Sequence, residues 1–156
     1  MLIGFGYDRH PLVSGRKLIL AGVEVESPFG SLGHSDGDAL CHAVIDALLG
    51  AAGLGDIGEW FPETEEYKGA NSLELLKKTV EVLEKRGYRV INVDVTLLLS
   101  GVRLSPYREA ILGNLKRVLK TDKVNVKFKS GNSLGFEGEG KGISCYAVCL
   151  LQEASG

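Results

Sequence analysis

The sequence predicts an α+β fold: a single-domain sandwich, residues 1–156, of a mixed β-sheet with helices on one face. Three observations predict it. Strand-like apolar runs open and close the chain, and stretches of helical period lie between them. No low-complexity linker or internal repeat divides it. With 156 residues, 44% hydrophobic and 24% charged, the chain can bury a core of its own.

The elements follow in order. Leu2–Tyr7 and Lys17–Val25 read as strands around a loop, Asp8–Arg16. Pro28, Gly30, Gly33 and Gly37 then mark a long irregular connection. A helix begins at Asp36–Asp38, where acidic side chains meet its positive end, and continues through Leu40, Val44, Ala47 and Leu48 to Gly50. Gly53–Lys68 is rich in glycine and acidic residues and reads as an active loop rather than a packed element. Asn71 or Ser72 caps a second helix, whose apolar residues Leu73, Leu76, Val80 and Leu83 keep the helical period up to a stop at Gly87. Arg89–Leu99 is β-prone, with Val90, Ile91, Val93, Val95 and Thr96. Pro106–Leu119 is a third helix with proline in its first turn, and Val124–Lys129 and Ile143–Gln152 are closing strands. The order is β-β-α-α-β-α-β-β.

Composition excludes several classes. A net charge of −2 with no basic stripe argues against nucleic acid or an anionic membrane as partner. No apolar run approaches the roughly 18–20 residues that cross a bilayer. The start, Met1 to Asp8, lacks the basic region of a signal peptide. Cys145 and Cys149 fall in one strand, where four residues span about 13 Å, too far for a bridge. Cysteine usage therefore fits a reduced compartment, most simply a bacterial cytoplasm.

Asp8, His10 and His42 carry the first chemical signal. In Asp8-x-His10, at the end of a strand, both side chains can point to one side, and His42 lies in the first helix. Two imidazoles and a carboxylate with a fourth position open form the ligand set of a catalytic zinc site. Asp-x-His also recurs by chance, and a histidine in a helix is more often a packed residue. Asp46, four residues after His42 on the same helical face, could orient a ligating imidazole from behind, or simply face solvent. The Gly-rich segment Lys129–Gly142 offers backbone amides and Lys129 for a phosphate, but lacks Walker spacing and reads equally as a long hairpin loop. No Ser-His-Asp or Cys-His nucleophile arrangement is present.

The segment Gly4-Phe5-Gly6-Tyr7-Asp8-Arg9-His10 resembles the opening of the cyclodiphosphate synthases of the non-mevalonate isoprenoid pathway. So do His34-Ser35-Asp36-Gly37-Asp38-Ala39-Leu40-Cys41-His42-Ala43, Asp46–Ala51, Leu54-Gly55-Asp56-Ile57-Gly58 and Phe61-Pro62. The likeness continues through Asn92–Thr96, Asn125-Val126-Lys127 and Leu134-Gly135-Phe136, covering nearly the whole chain in order. The run from His34 to Gly58 is the most specific.

The resemblance implies a homotrimer with active sites at subunit interfaces and a small-molecule substrate, 4-diphosphocytidyl-2-C-methyl-D-erythritol 2-phosphate. Asp8, His10 and His42 would hold zinc or another divalent cation. His34, Ser35 and Asp56 would contact the methylerythritol or ribose portion, with Gly58, Phe61 and Glu63 in the same substrate site. Leu99, Ser100, Arg103 and Leu104, with Phe128, Lys129 and Ser130, would line a cytidine pocket shared with a neighbouring subunit. Magnesium or manganese would accompany the diphosphate, and Phe136 and Glu139 would face the trimer's central cavity.

The chain departs from the family pattern in three places. Lys129-Ser130-Gly131-Asn132-Ser133 stands where a Thr-Thr-Thr-Glu-Lys-like run is usual, so Asn132 occupies the place of a second-metal glutamate. Leu99–Arg103 replaces a Gln-x-Pro-Lys-like pattern, and Glu139 replaces an arginine. The changed Lys129–Ser133 segment and Asn132 motivate an alternative expectation, a non-catalytic binding relative that keeps the trimer without turnover.

Overall fold

The structure, a computed structural model, describes residues 1–154; the last two residues of the predicted domain lie outside the described residues. Seven strands and five helices follow in the order β1 Leu2–Ser14, β2 Leu18–Leu20, β3 Val23–Val25, β4 Phe29–Ser31, α1 Ala39–Ala51, α2 Ile57–Trp60, α3 Ser72–Lys85, β5 Tyr88–Leu98, α4 Arg108–Leu119, β6 Val124–Lys129, α5 Gly135–Gly138 and β7 Gly142–Glu153. The main sheet runs β4-β1-β7-β5-β6, while β2 and β3 form a separate ribbon. Among the described residues only β5 and β6 pair in parallel, and α4 supplies the crossover that a parallel pair requires. The sheet is mixed, as the sequence predicts, and α1, α3 and α4 pack on one face.

Four local expectations change. The predicted loop Asp8–Arg16 is mostly strand: β1 continues to Ser14, pairing Asp8 with Cys145, Pro11 with Gly142, and Leu12–Ser14 with β4. Partners far away in sequence supply those backbone hydrogen bonds, so no local signal announces them. Lys17–Val25 is two strands, because Ala21 and Gly22 both take positive φ and turn the chain back. The irregular connection contains β4. The stretches Gly53–Lys68 and Lys129–Gly142 each contain a short helix, α2 and α5.

Helix α1 lies in the middle of the layer. All its residues are buried except Asp46 and Gly50, as expected of a helix with apolar residues all round. Its N-cap, Asp38, is fully buried and accepts from the Cys41, Ala21 and Gly22 N–H groups at 3.0, 3.0 and 2.8 Å. One carboxylate thus caps the helix and ties the β2–β3 turn to it; burial still raises its pKa. Asn71 caps α3 in the same way, accepting from Leu73 N and Glu74 N. Leu76 and Leu83 of α3, Leu115 and Leu119 of α4 and Leu97 of β5 complete the core. All three cysteines are free and buried.

Candidate active site

Two glycines set the distance between strand and helix. A Cβ on Gly4 would lie 1.9 Å from the Ala47 carbonyl oxygen, and one on Gly6 1.8 Å from that of Ala43. Only glycine permits such an approach. It brings His42, the residue before Ala43, against Asp8, two residues beyond Gly6. Side chains alternate along a strand, so Asp8 and His10 share the face of the two glycines. The sequence reading placed the pair on one side at a strand end; the pleat of a continuous strand does it.

Asp8 Oδ2 lies 2.7 Å from His10 Nε2 and 3.0 Å from His42 Nδ1, and the two nitrogens are 3.4 Å apart. One ligand atom from each residue falls within 4.8 Å of the others, so the group could hold a metal ion. The hydrogen bonds behind the triad favour that use. His10 Nδ1 is 3.0 Å from the Leu32 carbonyl oxygen, which only accepts; Nδ1–H donates there and Nε2 turns its lone pair inward. Facing lone pairs repel, so a proton or a cation must sit among them. Two imidazoles and a carboxylate, mostly withdrawn from solvent, fit a metal ion.

The electrostatics agree. Burial works against the Asp8 charge, but the two imidazoles beside it, His10 first, outweigh burial and hold the carboxyl below its ordinary value. Burial also works against an imidazolium at His10; the Asp8 carboxylate outweighs it, and the pKa is raised. The site thus favours a negative Asp8 with positive charge beside it.

The triad opens into a pocket of about 160 Å³, lined also by His34, Ser35, Ile57, Gly58, Phe61, Glu63, Tyr67 and Leu75. Five of the six predicted substrate residues therefore meet at the triad. Asp56 does not line the pocket. Its carboxylate caps α2, accepting from Glu59 N at 3.1 Å. Ile57, Tyr67 and Leu75 were not anticipated; they are apolar residues whose periodicity or loop setting gives no sign of a pocket. A larger groove of about 530 Å³, lined by Gly15–Leu18, Glu24–Pro28 and Tyr107, contains none of the predicted site residues. Chemistry, not size, identifies the site.

Asp46 requires a correction. Its carboxylate accepts from the Ile57 N–H at 2.8 Å, holding the start of α2 rather than bonding to His42. The support behind His42 comes instead from Ser72 and Ser35, whose Oγ atoms lie 2.7 and 3.1 Å from Nε2. The sequence marks Ser72 only as a possible helix cap, because nothing local links it to a histidine in another helix.

The model of the YgbB family matches residues 1–152. The 2-C-methyl-D-erythritol 2,4-cyclodiphosphate synthase of Thermotoga neapolitana is 72% identical over 98% of this chain and 93% of its own length. This chain belongs to the YgbB family. Among solved structures, the bifunctional IspDF from Campylobacter jejuni is 38% identical over 97% of this chain, with a TM-score of 0.92; the chain spans 42% of that longer protein. The CDP-bound form of a 2C-methyl-D-erythritol-2,4-cyclodiphosphate synthase is also 38% identical, over 96% of this chain and 99% of its own, with a TM-score of 0.88.

The remaining predicted residues of this YgbB family chain lie apart from the triad. The segments expected to bind nucleotide are neighbours: Leu98 pairs with Lys129, and Leu99 N–H donates to the Lys129 carbonyl at 2.9 Å. Leu99 and Leu104 are buried, Ser100 Oγ–H donates to the Glu137 carbonyl, and Arg103 Nε–H reaches Ser105 Oγ at 3.3 Å. Phe128 lies under the Arg108 guanidinium at 5.4 Å, and Ser130 Oγ accepts from Asn132 N–H. None of these residues lines the triad's pocket in the single chain. Asn132 has φ of 53°, a left-handed conformation that asparagine tolerates better than glutamate. Phe136 stacks under Arg9 at 5.6 Å, and Glu139 is paired with Lys141 at 3.1 Å.

Proposed function

We propose that the chain converts 4-diphosphocytidyl-2-C-methyl-D-erythritol 2-phosphate to 2-C-methyl-D-erythritol 2,4-cyclodiphosphate and CMP, as a cytoplasmic homotrimer. The observation that carries this reading is the Asp8, His10 and His42 triad lining one pocket with His34, Ser35, Gly58, Phe61 and Glu63. Its setting in a chain that the family model matches over residues 1–152 supports the same reading.

The chemistry asks little of the protein in covalent terms. The substrate's own 2-phosphate attacks the β-phosphorus and CMP leaves, so no side chain acts as nucleophile, consistent with the missing nucleophile arrangement. What the chain supplies is a folded conformation of the substrate with its ends in contact, a gain in effective concentration. Zinc held by Asp8, His10 and His42, with magnesium on the diphosphate, would relieve repulsion between the two phosphates. His34 and Ser35 would contact the methylerythritol or ribose portion beside Gly58, and Asp46 holds the Ile57–Gly58 segment through Ile57 N–H.

The trimer reading has its own support. Ile3, Phe5, Tyr7 and Val148 are 74%, 62%, 36% and 41% exposed on the sheet face opposite the helices. An exposed apolar row of this kind marks a surface meant for a partner. A neighbouring subunit would bring its Leu99–Leu104 and Phe128–Ser130 segments to the pocket and complete the nucleotide site.

Incubating zinc-loaded protein with the cytidyl substrate and magnesium, followed by phosphorus NMR, tests the whole reading. CMP appearing with a cyclic diphosphate is the expected result. CMP with a linear product would make the chain a hydrolase, and bound substrate without turnover would favour the non-catalytic relative.

A further inference from the structure

We infer that Ser72 and Asp36 are positioning residues for the metal centre: they fix the proton of His42 on Nε2 and so leave Nδ1 free to bind the ion. The inference rests on the metal reading above and adds two residues to it. Ser72 is fully buried in the first turn of α3 and has a single hydroxyl proton. Its Oγ lies 2.5 Å from Asp36 Oδ1, and its own N–H donates to Asp36 Oδ2 at 2.9 Å.

The direction of the chain follows from counting protons. A carboxylate accepts and does not donate. Between a hydroxyl and a carboxylate only the hydroxyl can donate, so the Ser72 proton lies toward Asp36, for otherwise two sets of lone pairs would face each other. Ser72 Oγ therefore has only acceptor capacity left toward His42 Nε2 at 2.7 Å. The imidazole must donate from Nε2, and its remaining lone pair, on Nδ1, points to Asp8 Oδ2 at 3.0 Å. Ser35 Oγ, 3.1 Å from the same nitrogen, is bonded by Gly37 N–H but has no carboxylate to orient its own proton. It can accept or donate and does not select a tautomer.

The Asp36 carboxylate is itself held in place, since Oδ1 also accepts from Asp38 N–H at 3.1 Å. The relay thus begins in the loop that leads into α1 and crosses to the start of α3. It ends on the histidine of α1. With Leu32 acting on His10 from the other side, both imidazoles are preset before an ion arrives. Partners of this kind change metal affinity by roughly 10–100-fold when lost.

The test uses protein labelled with nitrogen-15 in histidine and loaded with zinc. Long-range proton–nitrogen correlation should show His42 with a protonated Nε2 and a metal-shifted Nδ1. A metal-bound Nε2 would overturn the inference while leaving the triad intact. Wild-type protein that takes up no zinc would overturn the triad reading and the inference together. Chelator competition adds a second readout: Ser72→Ala should weaken zinc binding about 10–100-fold, and Ser72→Thr, which keeps the hydroxyl, should stay near wild type. Equal affinity in all three proteins, or equal loss in both variants with thermal melts unchanged, would also overturn it.

Discussion

His42 is held from both ends: Asp8 faces one ring nitrogen and Ser72 the other, in a helix buried on nearly every side. On the proposed ligation, His42→Ala removes one of three ligands, and two ligands seldom retain zinc. The variant should lose both stoichiometric zinc and turnover; normal values of each by metal analysis and assay would refute the assignment. Asn132 is a second residue whose chemistry is readable. It is a neutral oxygen donor, weaker than a carboxylate toward magnesium, and its left-handed backbone suits asparagine. Asn132→Glu should lower the magnesium needed for half-maximal rate. It should also cost on the order of 1 kcal/mol of stability from backbone strain. An unchanged magnesium requirement would remove the role assigned to this position.

The contact between β1 and α1 shows how an element builds a site. Small residues on both sides, Gly4 and Gly6 against Ala43 and Ala47, let backbone meet backbone, and the triad follows from that closeness. Gly6→Ala would place a methyl group 1.8 Å from the Ala43 oxygen and 2.7 Å from Ala47 N, with backbone on both sides that cannot give way. A loss of about 1–3 kcal/mol or more is expected, with His42 displaced from Asp8. Gly50 is the control. It is exposed near the end of the same helix with nothing within 4 Å of an added Cβ, so Gly50→Ala should gain about 0.5–1 kcal/mol. Thermal denaturation of both variants decides the point; equal melting temperatures would mean that the close approach does not govern stability.

For the whole molecule, the helices cover one face of the sheet and leave the other to Ile3, Phe5, Tyr7 and Val148. Phe5, paired across from Val148, sits in the middle of this row. Phe5→Arg should convert the proposed trimer to monomers in sedimentation, and turnover should fall with it if, as proposed, a neighbour supplies the nucleotide segments. A wild type that sediments as a monomer at micromolar concentration would remove the trimer. A monomeric Phe5→Arg protein with full activity would keep the trimer but place the whole active site within one chain.

The sequence alone determined the class of the fold, the three main helices, the β5 and β6 strands and the chemical set at the triad. These are local matters: helical period, capping side chains and β-branched runs act over a few residues, and Asp8, His10 and His42 sit in motifs that can be read in place. Tertiary structure alone decided that Asp8–Ser14 is strand, because its partners lie in β7 and β4. It moved Asp46 from the imidazole to Ile57 and brought Ser72 and Asp36 behind His42. Those outcomes depend on hydrogen bonds between segments distant in sequence. Such bonds are set by how closely two backbones approach, and the glycines of β1 reveal that distance only once the helix lies against them.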